Sequence, residues 1–256
     1  MEELKETEVV EVEITDETTV KTTAETVKQP RVVLKKTASN YDQLEAFKTL
    51  RTNIEFSKEN VHAICVTSAL PNDGKSTVSY HLARAFAESG RNTVLVDADL
   101  RKSVMRRTLI SSGSPDYGLT HYLIGQAKIA ETVCITSQRY LNIVFPGAFP
   151  PNPSELLGSE RFRAMVDALK KNFIVIIDTP PIGSVIDAAV VARACDGVVL
   201  VLKDGAISYR FAQRCKEQLD STGVPILGCV LNNVDLSSNR YYGNYYGKYY
   251  GSYYGH

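Results

Sequence analysis

The sequence has no excess of charge and no long apolar run, and each absence excludes a class of protein. Its 29 basic and 29 acidic residues give a formal net charge of zero, so no strong basic surface indicates nucleic-acid binding. No apolar stretch approaches the roughly 20 residues that a membrane-spanning helix requires, and no basic, apolar start indicates a secretion signal. These absences predict a cytoplasmic protein that binds no nucleic acid and that would need a partner to hold it at a membrane.

The five cysteines include no Cys-x-x-Cys pair, and their number is odd. Both features favour a reduced compartment over a framework of disulfides. Most of the cysteines lie in apolar segments, and we interpret them as small core residues. The sequence therefore predicts no thiol-based metal or catalytic site.

Between its two ends, the chain has the pattern of one α/β domain. Apolar strand-like segments alternate with segments of helical spacing, which is typical of a mainly parallel sheet with helices on both faces. One such helix is predicted over residues 154–171. Residues 1–36 are predicted to be an acidic, flexible segment, because residues 1–28 hold nine acidic residues and only three lysines. Residues 37–238 form the predicted domain, and residues 239–256 form a flexible, tyrosine-rich tail.

A phosphate-binding motif follows the first apolar strand of the predicted domain. Residues Ala69–Thr77 have the Walker A spacing, with Ala69 where glycine is usual. In such a loop, backbone N–H groups and the N-terminus of the next helix point at phosphate oxygens. Lys75 would neutralise the β and γ phosphates, and the Ser76 hydroxyl would bind Mg²⁺. The predicted nucleotide-binding residues of this loop are Asn72, Asp73, Gly74, Lys75, Ser76 and Thr77.

Three carboxylates follow two further apolar strands. Asp97 and Asp99 come after Val94–Val96, and Asp178 comes after Ile174–Ile177. Parallel sheets bind ligands at the carboxyl ends of their strands. Mg²⁺ needs only one or two carboxylates beside phosphate oxygens, which leaves a third carboxylate to accept the proton of an attacking hydroxyl. The sequence thus predicts phosphoryl transfer from ATP.

Eight of the fourteen tyrosines lie in the last sixteen residues, in four repeats of Tyr-Tyr-Gly-x. A glycine in every unit disfavours a helix, and the unit contains no aliphatic residue for a core. We interpret this array of phenols beside an ATP site as the phosphate acceptor; a tail that stacks on sugars or bases is the alternative. The predicted autophosphorylation sites are Tyr241, Tyr242, Tyr245, Tyr246, Tyr249, Tyr250, Tyr253 and Tyr254.

Together these motifs resemble those of the bacterial tyrosine kinases that regulate capsular and extracellular polysaccharide synthesis. The resemblance covers residues 38–256 and includes Walker A, the second motif Asp97–Arg101, Walker B at Asp178–Pro181 and the tyrosine tail. It implies a P-loop NTPase-like fold, with ATP and Mg²⁺ as cofactors. By this resemblance Asp97 is the catalytic base and Lys75 is catalytic, while the metal ligands are Ser76, Asp99 and Asp178.

The resemblance also implies partners. They are a transmembrane activator that regulates polysaccharide chain length and recruits the kinase to the inner face of the membrane, an opposing phosphotyrosine phosphatase, and further copies of the chain. Autophosphorylation would occur in trans within a ring-like homo-oligomer. Asn232 would contact the base of the nucleotide, and Ser103 stands where the family often has proline.

The oligomer-forming helix of the family carries Glu-x-x-Arg-x-x-Arg, and in this sequence Glu45, Lys48 and Arg51 occupy those places. Lysine keeps the charge of arginine but loses its bidentate geometry. These residues are the predicted oligomer interface, and a solvated charged face is the alternative.

Two other functions fit part of the sequence. Partitioning and septum-positioning ATPases share the sheet and the Walker motifs, but they normally carry a lysine where this chain has Leu70, and they lack a tyrosine tail. A nucleotide-gated scaffold is the second alternative, since fold alone does not set function.

Overall fold

The computed structural model describes residues 29–35 and 41–234. The predicted tail and most of the predicted N-terminal segment, residues 1–28, lie outside the described residues. The described strands are β1 (Arg31–Leu34), β2 (Ala63–Ser68), β3 (Thr93–Asp97), β4 (Ile110–Ser112), β5 (Val133–Thr136), β6 (Leu141–Val144), β7 (Ile174–Asp178), β8 (Gly197–Lys203) and β9 (Ile226–Asn232).

The described helices alternate with these strands along most of the chain, as the sequence predicted. They are α1 (Tyr41–Ser57), α2 (Lys75–Glu88), α3 (Met105–Leu109), α4 (Leu119–Leu123), α5 (Ile129–Thr132), α6 (Pro153–Leu157), α7 (Glu160–Lys170), α8 (Asp187–Ala192) and α9 (Tyr209–Asp220). None of the helices in the described ranges is long and apolar enough to cross a membrane.

The strands form one mixed sheet in the order β4-β1-β5-β6-β3-β7-β2-β8-β9. The six strands from β6 to β9 in this order are parallel, whereas β5 runs antiparallel to β6 and β4 antiparallel to β1. Successive side chains of a strand point to opposite faces, and here both faces are buried. The sequence-based prediction of a mainly parallel sheet with helices on both faces is confirmed.

The two faces of the sheet build two apolar cores. In β3, Val94 and Val96 pack with α7, α8 and α9 on one face, and Leu95 packs with α1, α2 and α3 on the other. This double burial explains why the central strands are apolar throughout rather than alternating. It also fixes the sheet rigidly between two helical layers, so the carboxyl ends of its strands are well placed to hold a site.

Two segments differ from the sequence-based prediction. The predicted flexible N-terminal segment includes Arg31–Leu34, but these residues form β1 and pair with β5 and β4. The helix predicted over residues 154–171 is two helices, α6 and α7. It breaks after Gly158 because the Ser159 hydroxyl accepts a hydrogen bond from the Phe162 N–H at 3.2 Å and starts a new helix there.

The order of the strands brings the predicted motifs together. β7 lies between β2 and β3, and Asp97 at the end of β3 is directly opposite Asp178 at the end of β7. The phosphate loop leaves the carboxyl end of β2, beside Asp178. Three neighbouring strand ends therefore converge on one edge of the sheet.

Candidate active site

The phosphate loop between β2 and α2 is held in its shape by its own residues. The backbone of Asn72 and of Gly74 has positive φ angles, 66° and 94°, a region that favours glycine and tolerates asparagine. The Asp73 side chain is buried, and its Oδ2 atom accepts the Leu70 N–H at 2.8 Å. Asp73 therefore shapes the loop through its side chain, and its contribution to nucleotide binding would come from its backbone.

Neighbouring strands support the same loop from outside. The Ile182 N–H donates to the Ser68 carbonyl at 2.9 Å, which ties the segment after Asp178 to the start of the loop. On the other side, the Asn232 amide at the end of β9 donates to the Asp73 carbonyl at 2.8 Å. Asn232, predicted to contact the nucleotide base, thus also braces the phosphate loop, a contact that its sequence position alone does not indicate.

Lys75 begins α2 and reaches the carboxylates of the other two motifs. Its Nζ atom lies 3.1 Å from Asp99 Oδ2 and 4.0 Å from Asp178 Oδ2. Burial lowers the pKa of Lys75, but the negative charges of Asp178 and Asp99 outweigh that effect, so the pKa is raised above its ordinary value. Lys75 is consequently a fixed positive charge among the strand-end acids, where a phosphate would bind.

Asp178 is held at both carboxylate oxygens by hydroxyls of α2. The Ser76 hydroxyl donates to Oδ2 at 2.6 Å, and the Ser79 hydroxyl donates to Oδ1 at 2.9 Å. Burial raises the pKa of Asp178, while Lys75 and these two hydroxyls oppose that rise. Sequence reasoning missed Ser79, although its position three residues after Ser76 places the two serines on one face of the helix.

Asp97 is as deeply buried as Asp178. Its Oδ1 atom accepts the Asp99 N–H at 3.2 Å, and its Oδ2 atom accepts a short hydrogen bond from the Ser103 hydroxyl. Burial, together with the negative charge of Asp178, raises the pKa of Asp97 well above its ordinary value. Because a carboxylate with a raised pKa is a stronger proton acceptor, this environment suits a general base.

The residues predicted to bind Mg²⁺ have suitable chemistry and lie together. Lys75 Nζ is 3.3 Å from the Ser76 hydroxyl, 3.1 Å from Asp99 and 4.0 Å from Asp178, so the oxygens of the three predicted ligands lie around one lysine ammonium. Within the described ranges, no group of three or more His, Cys, Asp or Glu side chains could hold a metal ion unaided. Mg²⁺ is commonly bound by one or two carboxylates completed by phosphate oxygens and water, and this donor set fits that mode.

A buried ion pair fastens the loop that follows β3. The Arg101 guanidinium donates to both carboxylate oxygens of the fully buried Asp187, at 2.7 and 3.1 Å. The Ser154 hydroxyl at the start of α6 donates to the same carboxylate at 2.5 Å. This network joins the second acidic motif to α6 and α8, and nothing in the local sequence pairs these three residues.

The remaining predicted residues lie on the surface or outside the described ranges. The side chains of Asn72 and Thr77 are exposed at the phosphate loop. On α1, Lys48 and Glu45 form an exposed ion pair of 2.7 Å, and the Arg51 guanidinium donates to the Ala85 carbonyl of α2 at 3.0 Å. Helix α1 packs against α2, and the eight predicted acceptor tyrosines lie beyond residue 234.

Comparisons with known proteins find tyrosine kinases among the relatives of this chain. The family described as AAA domain matches residues 61–218. Tyrosine-protein kinase CpsD of Streptococcus agalactiae is 44% identical over 203 residues, which cover 78% of this chain and 88% of that protein. The solved kinase domain of the Escherichia coli tyrosine kinase ETK has a TM-score of 0.72 at 32% identity, covering 78% of this chain and 79% of its own.

The likeness to a septum protein is one of fold. The septum site-determining protein MinD from Pyrococcus horikoshii, solved with Mg-ADP, has a TM-score of 0.58 at 22% identity, covering 70% of this chain and 72% of its own. The kinase relatives therefore favour the predicted kinase over the partitioning or septum-positioning ATPase. With an AAA domain across most of its described residues and kinase relatives matched over most of their length, the chain belongs to the bacterial tyrosine-protein kinases.

Proposed function

We propose that this kinase transfers the γ-phosphoryl group of ATP, with Mg²⁺, to the tyrosines of its own C-terminal tail. The observation that carries the proposal is the convergence of Lys75, Asp99, Asp178 and Asp97 beside the phosphate loop. Phosphoryl transfer depends almost entirely on positioning and on stabilisation of charge. A fixed lysine, a set of oxygen ligands and a buried base are the groups that such a reaction uses.

Each residue has a role that follows from its place. The backbone N–H groups of the loop and the N-terminus of α2 bind the phosphates, and Lys75 leaves its acid partners to neutralise the β and γ phosphates. Ser76, Asp99 and Asp178 would hold the metal ion, which when bound would offset the negative charge on the phosphates. Asp97 accepts the phenol proton as the tyrosine oxygen bonds to the γ-phosphorus and the bond to the ADP oxygen breaks.

The acceptor is the tail of a neighbouring copy of the chain. The tail follows β9 in the sequence, and its eight tyrosines lie within fourteen residues, 241–254. Many phenols would therefore compete for one site of a neighbouring copy. Each phosphate adds a charge of about −1.5 to −2, and a filled tail would repel its neighbours and loosen the ring. Glu45, Lys48 and Arg51 on α1 are the proposed interface of that ring.

The resemblance of the motifs to kinases of capsular and extracellular polysaccharide synthesis supports a regulatory role in that process. A transmembrane regulator of polysaccharide chain length would hold the kinase at the inner face of the membrane and activate it. A phosphotyrosine phosphatase would reverse the modification. Residues 37–238 are the proposed kinase domain, to which the structure adds β1.

Mapping of phosphate on the purified full-length chain tests this function. The protein is incubated with ATP and Mg²⁺, with and without a peptide of the activator's cytoplasmic end, and digested for mass spectrometry. We expect phosphate on the tail tyrosines of the wild type and none in Lys75→Met. Lys216→Met, which changes an exposed lysine of α9, is the matched control and should behave as wild type. Wild-type tails without phosphate under both conditions would contradict the proposal.

A further inference from the structure

Ser103 connects the candidate base to the helix that follows it. Its hydroxyl donates to Asp97 Oδ2, and its oxygen accepts the Met105 N–H at 3.2 Å. Met105 is the first residue of α3, and its side chain is buried in one of the two apolar cores. The hydroxyl of Ser103 is therefore oriented by a backbone group that the core holds in place.

Asp97 differs from the other two acids in that no lysine or arginine of the described residues lies within ion-pair distance of it. Asp99 and Asp178 both lie within ion-pair distance of Lys75. Asp97 instead is fixed through neutral donors, with Oδ1 on the Asp99 N–H and Oδ2 on the Ser103 hydroxyl. Two donors on the two oxygens set the plane of the carboxylate, and each oxygen keeps a second lone pair for another proton donor.

The geometry points to Ser103 as a positioning residue for the transfer to tyrosine: its hydroxyl holds the Asp97 carboxylate in the plane from which an oxygen lone pair receives the phenol proton. This inference rests on the proposed function, in which Asp97 is the base. Ser103 acts through Asp97 and contributes no ligand to the phosphates or to Mg²⁺. Its loss should therefore impair the chemical step and leave nucleotide binding intact.

The expected loss of rate depends on how closely the catalytic base must be positioned relative to the phenol. A misplacement of about 1 Å can cost on the order of a hundredfold in rate, and removal of the hydroxyl leaves only the Asp99 N–H to orient the carboxylate. Ser103 is half-buried, so its truncation opens little space in the core. A threonine at this position keeps the hydroxyl and should keep the orientation.

Three full-length variants, Ser103→Ala, Ser103→Thr and Ser111→Ala, test the inference. Ser111 lies on nearby β4, and its exposed hydroxyl donates to the Val33 carbonyl, so its variant is a control for loss of a hydroxyl. A full-length Lys75→Met chain that can be separated from the enzyme variants serves as the acceptor. Initial rates at several concentrations of this acceptor distinguish kcat from KM. Affinity for a fluorescent ATP analogue and the midpoint of denaturant unfolding are measured on the same proteins.

We expect Ser103→Ala to lower kcat by about 10-fold to 100-fold, with KM and the affinity for the ATP analogue within twofold of wild type. Ser103→Thr should restore most of kcat, and Ser111→Ala should match wild type. The inference is overturned if Ser103→Ala keeps wild-type kcat, if it loses ATP affinity by the same factor, or if Ser103→Thr fails to restore the rate. A wild type that does not phosphorylate the acceptor would instead overturn the proposed function, and this inference with it.

Discussion

Gly74 is the position in the phosphate loop where a side chain has no room. Its φ of 94° is unfavourable for residues with a Cβ atom. A Cβ atom there would lie 2.0 Å from the Nδ2 atom of Asn232, whose amide braces the loop by its bond to the Asp73 carbonyl. A side chain at Gly74 would therefore strain the backbone and displace that brace.

We expect Gly74→Ala to weaken binding of a fluorescent ATP analogue at least about tenfold, which corresponds to roughly 1.4 kcal/mol. Gly90→Ala is a matched control, because Gly90 has a similar φ of 83° and a Cβ atom added there would have nothing within 4 Å. Both variants should lose about 1 kcal/mol of unfolding free energy from backbone strain. Equal ATP affinities for the two variants would show that the Asn232 side chain can move aside without weakening nucleotide binding by the loop.

The residues that sequence reasoning identified differ from those it missed in one physical respect. Lys75, Asp97 and Asp178 could be predicted because each follows an apolar strand, and the carboxyl ends of parallel strands share one edge of a sheet. Ser79 donates a hydrogen bond to Asp178, which is far away in the sequence, and Ser103 donates one back to Asp97 across the loop that follows β3. Such contacts depend on helix orientation and loop path, which the local pattern does not specify.

Among the helices and loops, the ion pair of Arg101 with Asp187 couples three elements. It joins the loop after β3 to α8, and Ser154 extends it to α6. Asp187 is fully buried while the Arg101 side chain is 34% exposed. Removal of the arginine would therefore leave a buried carboxylate with only a hydroxyl to balance it.

Because breaking one partner of a buried pair costs about 3 kcal/mol or more, we expect Arg101→Ala to lower the unfolding free energy by roughly that amount. Arg84→Ala is the matched control: Arg84 pairs with Glu88 one turn away on the surface of α2, and such pairs contribute at most about 1 kcal/mol. Urea unfolding of the two variants makes the comparison. Similar losses in both would mean that the Asp187 pair adds little to the fold.

Several elements could not be predicted because they depend on contacts in the folded chain that the local sequence pattern does not show. β1 is four residues long and lies in a charged stretch that favours a flexible segment; it is a strand because β5 and β4 flank it in the sheet. The break between α6 and α7 depends on the capping hydroxyl of Ser159, within a stretch whose apolar spacing continues across it. In contrast, β7 has a wholly apolar signal and matches the strand predicted at Ile174–Ile177 closely.

At the scale of the whole molecule, the sheet order explains how motifs far apart in sequence form one site. The phosphate loop, Asp97 and Asp178 belong to β2, β3 and β7, which are adjacent. The family was predicted from these motifs and the tyrosine tail, and the mainly parallel sheet from apolar strands that alternate with helices. Both are confirmed, by the kinase relatives and by the fold. The acceptor tail lies outside the described residues, so its use as a substrate remains a prediction that requires a direct measurement.

Transfer between two full-length chains tests the central claim most directly. One chain carries Lys75→Met and an intact tail, and the other has an intact site and phenylalanine in place of the eight tail tyrosines. The two are mixed with ATP, Mg²⁺ and the activator peptide, and the phosphate on each is mapped by mass spectrometry. We predict phosphotyrosine on the tail of the Lys75→Met chain in the mixture and none when that chain is incubated alone. If a separate wild-type sample phosphorylates its tail but the Lys75→Met tail in the mixture carries no phosphate, transfer in trans is contradicted. If neither the wild-type tail nor the Lys75→Met tail carries phosphate, the kinase account itself is contradicted.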